Sequence, residues 1–230
     1  MTMRGRKNSK QYMDYNFFDL ILTGCFMQVK SKFLLRVINK IGVLLNSKIN
    51  MELSWASTCR KHNLSVDFED YFSKIGRPFN DILNIKENQG NIEQTFNETS
   101  IQLIRKVSFY DGVESVLDQL FNNNIKTGII TSKSTIKTHK ILDLLDFEFD
   151  IVQTPNDDLQ GKPAPDHILY AISKLNVNAS DVLYIGDMDV DYEAAKRAKV
   201  DYAHALWGYG DCDDENTIKL RKITQLMGII

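Results

Sequence analysis

The sequence predicts an α/β fold, a parallel sheet flanked by helices, interrupted near its start by a block of helices. Three observations carry this. Apolar runs at Ile125–Ile130, Phe149–Gln153 and Tyr202–Leu206 alternate with helical segments, the rhythm of βαβ units. Val182–Ile185 is an unbroken apolar run, as expected of a strand buried on both faces of a parallel sheet. Residues 50–107 carry helical patterns and no strand signal, so they form a helical subdomain of their own.

At 230 residues the chain has room for one large α/β domain or for a core with an insertion. An apolar fraction of 43% supports a sizeable core, and a net charge of -2 gives no reason to expect a nucleic-acid partner. Three scattered cysteines (Cys25, Cys59, Cys212) lack metal spacing, and an odd number argues against a disulfide frame. A reducing cytoplasm is the simplest expectation.

In chain order, residues 1–29 combine a basic start with an interrupted apolar stretch, Phe17–Val29. The charge order is that of a signal peptide, but no small-residue cleavage site follows. The stretch is also shorter than the ~20 apolar residues of a membrane span. An upstream extension, with a functional start near Met27, is the simpler expectation. Lys32–Lys40 reads as the first strand. Helices follow at about 49–62, within 66–82 around the turn Ile75-Gly76-Arg77-Pro78, and over 92–107. From Asp111 the pattern becomes helix 112–122, strand 125–130, helix 136–145, strand 149–153, helix 165–175, strand 182–187, another helix, and a last strand near 202–206. The acidic run Asp211–Glu215 reads as a solvated loop before a final helix.

Chemistry-bearing residues gather at the strand tips. Gly186 ends a strand and permits a tight turn, which puts Asp187 just past the strand's carboxyl end, where open α/β sheets place ligands. Asp191 follows four residues later. Taken alone, Asp191 reads as the N-cap of the next helix; as a pair, two carboxylates beside a glycine suit magnesium. Thr131 follows another strand and offers a hydroxyl to an anionic oxygen, although by itself it reads first as a helix cap. Lys162 sits in a stiff frame, Gly161-Lys162-Pro163-Ala164-Pro165. As a point charge it suits phosphate, although a lone loop lysine is usually just solvated.

Together and in this order, these segments resemble the haloacid dehalogenase-like hydrolase superfamily, in particular its phosphoglycolate phosphatase-like branch. GIITSK is similar to the second motif of that family, GKPAPD to the third and YIGDMDVDYEAAKRA to the fourth. FYDGVESVLDQL and the late Trp207-Gly208-Tyr209 are similar as well, over roughly residues 32–210. The resemblance implies a Rossmann-like core over 30–48 and 108–230 with an all-helical cap over 49–107. It also implies a Mg²⁺-dependent phosphatase of small phosphorylated metabolites. Asp187 and Asp191 would then hold the metal, Thr131, Ser132 and Lys162 the phosphate, and Arg77 of the cap the far end of the substrate. No membrane is expected as a partner, and the sequence leaves the oligomeric state open.

The first motif departs from the family pattern D-x-D-G-[TV], whose two aspartates serve as nucleophile and general acid/base. The matching stretch is Asn39-Lys40-Ile41-Gly42-Val43-Leu44-Leu45-Asn46-Ser47, with Asn39 at the nucleophile position and Ile41 at the acid/base position. A rival placement at Phe18-Asp19-Leu20-Ile21 keeps an acid in Asp19, but it misplaces Gly24 and leaves the strand-one pattern without a role. An amide is a poor nucleophile, and isoleucine moves no proton; general acid–base help alone is worth ~10²–10⁴-fold. The expectation is a phosphate pocket with little or no turnover. The alternative is a non-catalytic module that binds phosphoesters or a partner.

Overall fold

In the computed structural model the described residues are 35–38, 40–75 and 89–230. They build a six-stranded, all-parallel sheet: β1 (Leu35–Ile38), β4 (Thr127–Ile130), β5 (Ile151–Gln153), β6 (Val182–Gly186), β7 (Asp201–Ala205) and β8 (Ile218–Leu220). The order is β5-β4-β1-β6-β7-β8. β1 lies at the centre, with Ile38 in register with Ile129 of β4 and Ile185 of β6. Neighbouring strands on either side of β1 thus end level with one another, which brings the turns after β4 and β6 together at one edge.

Alternation along the strands divides the core. Ile129, Leu183, Ile185, Ala203 and Ala205 face a cluster closed by α5 (Val113–Asn122) and the C-terminal 3-10 turn Ile223–Gly228. Ile130, Val182, Tyr184 and Tyr202 face the other way, against α7 (Asp166–Leu175) and α8 (Asp189–Ala198). The period of two along each strand puts successive side chains on opposite faces, so every residue of β6 is buried, as the unbroken apolar run predicted.

After β1 the chain forms a short helix, α1 (Lys40–Leu44), and then β2 (Leu45–Asn46), which pairs antiparallel with β3 (Ser108–Phe109). This two-stranded ribbon is the entrance to and exit from the helical insertion: α2 (Lys48–His62), α3 (Phe68–Phe72), α4 (Gln89–Gln102) and a 3-10 turn at Ile104–Lys106. The insertion has its own cluster of Met51, Trp55, Tyr71, Ile75, Ile92 and Phe96. Trp55 stacks on Tyr71 with ring centroids 4.6 Å apart. Buried Asn50 on α2 donates from Nδ2 to the carbonyls of Ser100 and Leu103, both at 2.9 Å, and so ties α2 to the end of α4. A satisfied buried amide of this kind fixes one alignment of two helices, whereas an unsatisfied one would cost about 1–3 kcal/mol.

Several elements differ from the sequence reading. The long helix expected over 92–107 stops at Gln102 and gives way to the 3-10 turn and β3. The final helix is instead β8 and a 3-10 turn. Helix α6 (Thr135–Leu142) ends earlier than expected. The segment between β7 and β8 is a loop, as read from its acidic run. No helix among the described residues is long and apolar enough to cross a membrane.

Candidate active site

The turn after β6 builds an acid pair. Gly186 lets the chain reverse against Asp191: a Cβ at 186 would stand 2.4 Å from the Asp191 Cβ. Asp191 is not the N-cap that the sequence suggested. Helix α8 begins at Asp189 behind Met188, and Asp191 lies in its first turn. From there Asp191 Oδ2 accepts the backbone N–H of Asp187 at 3.2 Å. The helix N-terminus favours negative charge at this place.

Both carboxylates are buried. Lys162 reaches in from the loop before α7, and its Nζ stands 2.6 Å from Asp191 Oδ1. The Tyr184 hydroxyl of β6 donates to the same oxygen at 3.3 Å. Asp187 Oδ2 accepts the backbone N–H of Tyr209 at 3.0 Å. Burial, and then the charge of Asp191 beside it, push the Asp187 carboxyl up to about 7.

Glycines let the backbone crowd this pair. A Cβ on Gly42 of α1 would fall 1.4 Å from Asp187 Oδ2, and one on Gly208 would fall 2.2 Å from the Asp187 Cβ. Helix α1 therefore packs directly on Asp187 at Gly42. Among the described residues no cluster of three or more His, Cys, Asp or Glu side chains forms a metal site. Two acidic oxygen donors in a cradle of glycine backbone nevertheless fit a hard cation, because magnesium is commonly held by one or two carboxylates together with phosphate oxygens. A cation there would also relieve the repulsion that raises Asp187.

A cavity of about 400 Å³ opens beside Lys162, lined by Thr131, Ser132, Asn156, His167 and, from α4, Glu93. Thr131, just past β4, is buried, and its Oγ1 accepts the backbone N–H of Lys133 at 3.1 Å. Ser132 is exposed and Lys133 half-buried. The Lys133 Nζ points toward α2, 3.9 Å from Met51 Sδ, and burial lowers its ammonium to about 8.

The structure therefore brings together Thr131, Ser132 and Lys162 at the cavity, with Asp191 joined to them through Lys162 and Asp187 through Asp191. Asn39 and Arg77 lie outside the described residues, as do residues 1–29 with Asp19, and so does the side chain of Ile41. Sequence reasoning took Tyr184 as an apolar strand residue and noted Tyr209 only within the similar stretch Trp207-Gly208-Tyr209, without a role in the site. A tyrosine in a buried strand, whose hydroxyl needs a partner, was the available signal for Tyr184.

Comparison with known proteins gives the family to which this fold and strand-tip constellation belong. The sequence model described as haloacid dehalogenase-like hydrolase matches residues 42–205, and the chain belongs to that family. The match begins at Gly42, so positions 39 and 41 lie outside it. Among curated proteins, the chain is 28% identical over 175 residues to a pyrophosphatase PpaX of Oceanobacillus iheyensis, covering 74% of this chain and 82% of that one. It is 27% identical over 180 residues to a phosphoglycolate phosphatase of Aquifex aeolicus, covering 73% and 82%. A haloacid dehalogenase-like hydrolase structure from Bacteroides fragilis superposes with a TM-score of 0.76 at 22% identity, covering 85% of this chain and 100% of that one. A phosphoglycolate phosphatase structure from Lactobacillus plantarum gives 0.76 at 17%, covering 85% and 98%. At those identities the structures speak to the fold alone.

Proposed function

We propose that this chain keeps the phosphate pocket of a magnesium-dependent phosphatase of small phosphorylated metabolites and has lost most of the turnover. The carrying observation is the approach of Gly42 to the Asp187 carboxylate, 1.4 Å from a built Cβ to Oδ2. It supports reading Gly42 as the first-motif glycine, which puts Asn39 and Ile41 where the family has its two catalytic aspartates.

In this reading the helices between β2 and β3 are a cap over the site, within residues 49–107. Asp187 and Asp191 hold the metal, which when bound supplies positive charge against the phosphoryl oxygens. Lys162 neutralises Asp191 and presents its charge to the cavity, and Thr131 and Ser132 offer hydroxyls there. At position 39 a neutral amide replaces the attacking carboxylate. At position 41 a hydrocarbon replaces the group that protonates the leaving oxygen and later activates water. Removal of a nucleophile in another hydrolase lowers kcat by on the order of 10⁶.

The test is hydrolysis of an aryl phosphate and of phosphoglycolate with Mg²⁺, comparing the natural chain with Asn39→Asp/Ile41→Asp. A silent natural chain and an active revertant are the expected result. Turnover by the natural chain that Asp19→Asn abolishes would overturn the placement of the first motif.

A further inference from the structure

We propose that Tyr209 is a positioning residue that ties the seat of the helical insertion to the Asp187 carboxylate. Its backbone and its side chain hold opposite ends of that connection. The backbone N–H donates to Asp187 Oδ2 at 3.0 Å. The hydroxyl oxygen accepts the backbone N–H of Ser47 at 2.6 Å and stands 3.4 Å from Asn46 Oδ1, to which it donates. Ser47 is the fully buried residue between β2 and α2, the point where the chain leaves the ribbon for the helices. The ring meets Phe72 of α3 edge-on, with centroids 5.3 Å apart, and packs against the aromatic cluster of the insertion.

The segment around Tyr209 is built to transmit position. Gly208 has no side chain where a Cβ would overlap Asp187. The Gly210 N–H donates to the Asp187 carbonyl at 3.0 Å, and Trp207 Nε1 donates to the Val43 carbonyl of α1 at 2.9 Å. Residues 207–210 thus form a strap fastened to α1, to both ends of Asp187 and to the insertion. Burial raises the Tyr209 hydroxyl above its ordinary value, so it stays protonated and keeps a donor for Asn46 while accepting from Ser47. A movement of the helices about the β2–β3 ribbon withdraws Ser47 and Phe72 from Tyr209. The same movement frees the strap that orients Asp187. Conversely, loss of the acceptor on Asp187 slackens the hold on Ser47, although no hydrogen bond joins those two residues.

Amide hydrogen exchange on the full chain without added metal tests this, read at Ser47 and, as a fold control, over Val182–Ile185. Tyr209→Phe speeds exchange at Ser47 by roughly three- to tenfold, the factor carried by one net hydrogen bond. Asp187→Ala, remote from the Ser47 amide in the bonding pattern, moves the same amide in the same direction. Asp187→Asn keeps a carbonyl acceptor for the Tyr209 N–H and leaves Ser47 as in the natural chain. Gly208→Ala pushes the strap off Asp187 and is the second lever should Asp187→Ala fail to fold. A Ser47 amide that responds to Tyr209→Phe but to neither Asp187→Ala nor Gly208→Ala overturns the connection. An equal response to Asp187→Asn and Asp187→Ala overturns it too, because charge rather than the strap would then be the cause. None of these readings needs turnover or a bound ion, so a silent chain leaves them intact.

Discussion

Replacing Lys162 by methionine isolates what the buried ion pair contributes. Lys162 Nζ and Asp191 Oδ1 are 2.6 Å apart, with side chains 4% and 0% exposed. At that separation the direct attraction is about 6 kcal/mol at an effective dielectric of about 20. The cost of taking both ions out of water cancels much of it. Removing only the lysine forfeits the attraction and leaves Asp191 buried beside Asp187, with the Tyr184 hydroxyl as a neutral donor at 3.3 Å. The expected loss is about 3–5 kcal/mol, the range for a buried pair broken from one side. Urea denaturation in EDTA reads it, and Asp191→Asn added to Lys162→Met should recover part of the loss. Mg²⁺ should stabilise Lys162→Met, because an ion that binds only the folded chain adds RT ln(1 + [L]/Kd). A loss below about 1 kcal/mol, typical of an exposed pair, would refute the buried geometry on which the site rests.

Gly42→Ala separates helix propensity from packing: alanine gains about 1 kcal/mol over glycine inside a helix, yet its Cβ would land 1.4 Å from Asp187 Oδ2. Destabilisation in chemical denaturation, at or above the ~1–3 kcal/mol of an overpacked core, is expected, and a neutral or stabilising result would show that α1 does not press on Asp187. His204 is fully buried, with Nε2 donating to the Gly210 carbonyl at 3.2 Å and Nδ1 accepting from the Tyr202 hydroxyl at 3.1 Å, and burial lowers it below its usual 6.5. Below about pH 6.5 the unfolded chain therefore takes a proton that the folded chain refuses, so this contribution to stability is full above 6.5 and is lost as the pH falls. His204→Gln should lose less stability than the natural chain between pH 7 and 5; Asp187, raised and so sloping the other way, is common to both chains and cancels in the difference.

The sequence showed most clearly what is local. The run Val182–Ile185 with its glycine stop placed β6, and the next turn placed Asp187 and Asp191 on it, because strand, turn and helix start lie within ten consecutive residues. β2 and β3 are two residues each, too short for any periodicity, yet they bound the helical insertion. Phe109 and Leu45 pair across 64 positions of chain. Lys133 Nζ stands 3.9 Å from Met51 Sδ of α2, 82 positions away, a neighbour that no local pattern announces. Tyr209 reaches Ser47 across 162 positions. A non-local hydrogen bond leaves no mark on the spacing of either partner.

The same geometry limits what an intact motif says about activity. Lys162 and Asp191 form a buried pair, Gly42 and Gly208 fill space that no side chain fits, and Thr131 Oγ1 caps the turn of Lys133. Each of these residues serves the fold as well as any reaction, so stability alone suffices to retain them. Placing aspartate at 39 and 41, as the proposed function requires, while keeping Lys162 and Asp191 untouched is therefore the discriminating experiment. Turnover gained by that double variant would come from the two substituted positions and not from Lys162 or Asp191, which are the same in both chains.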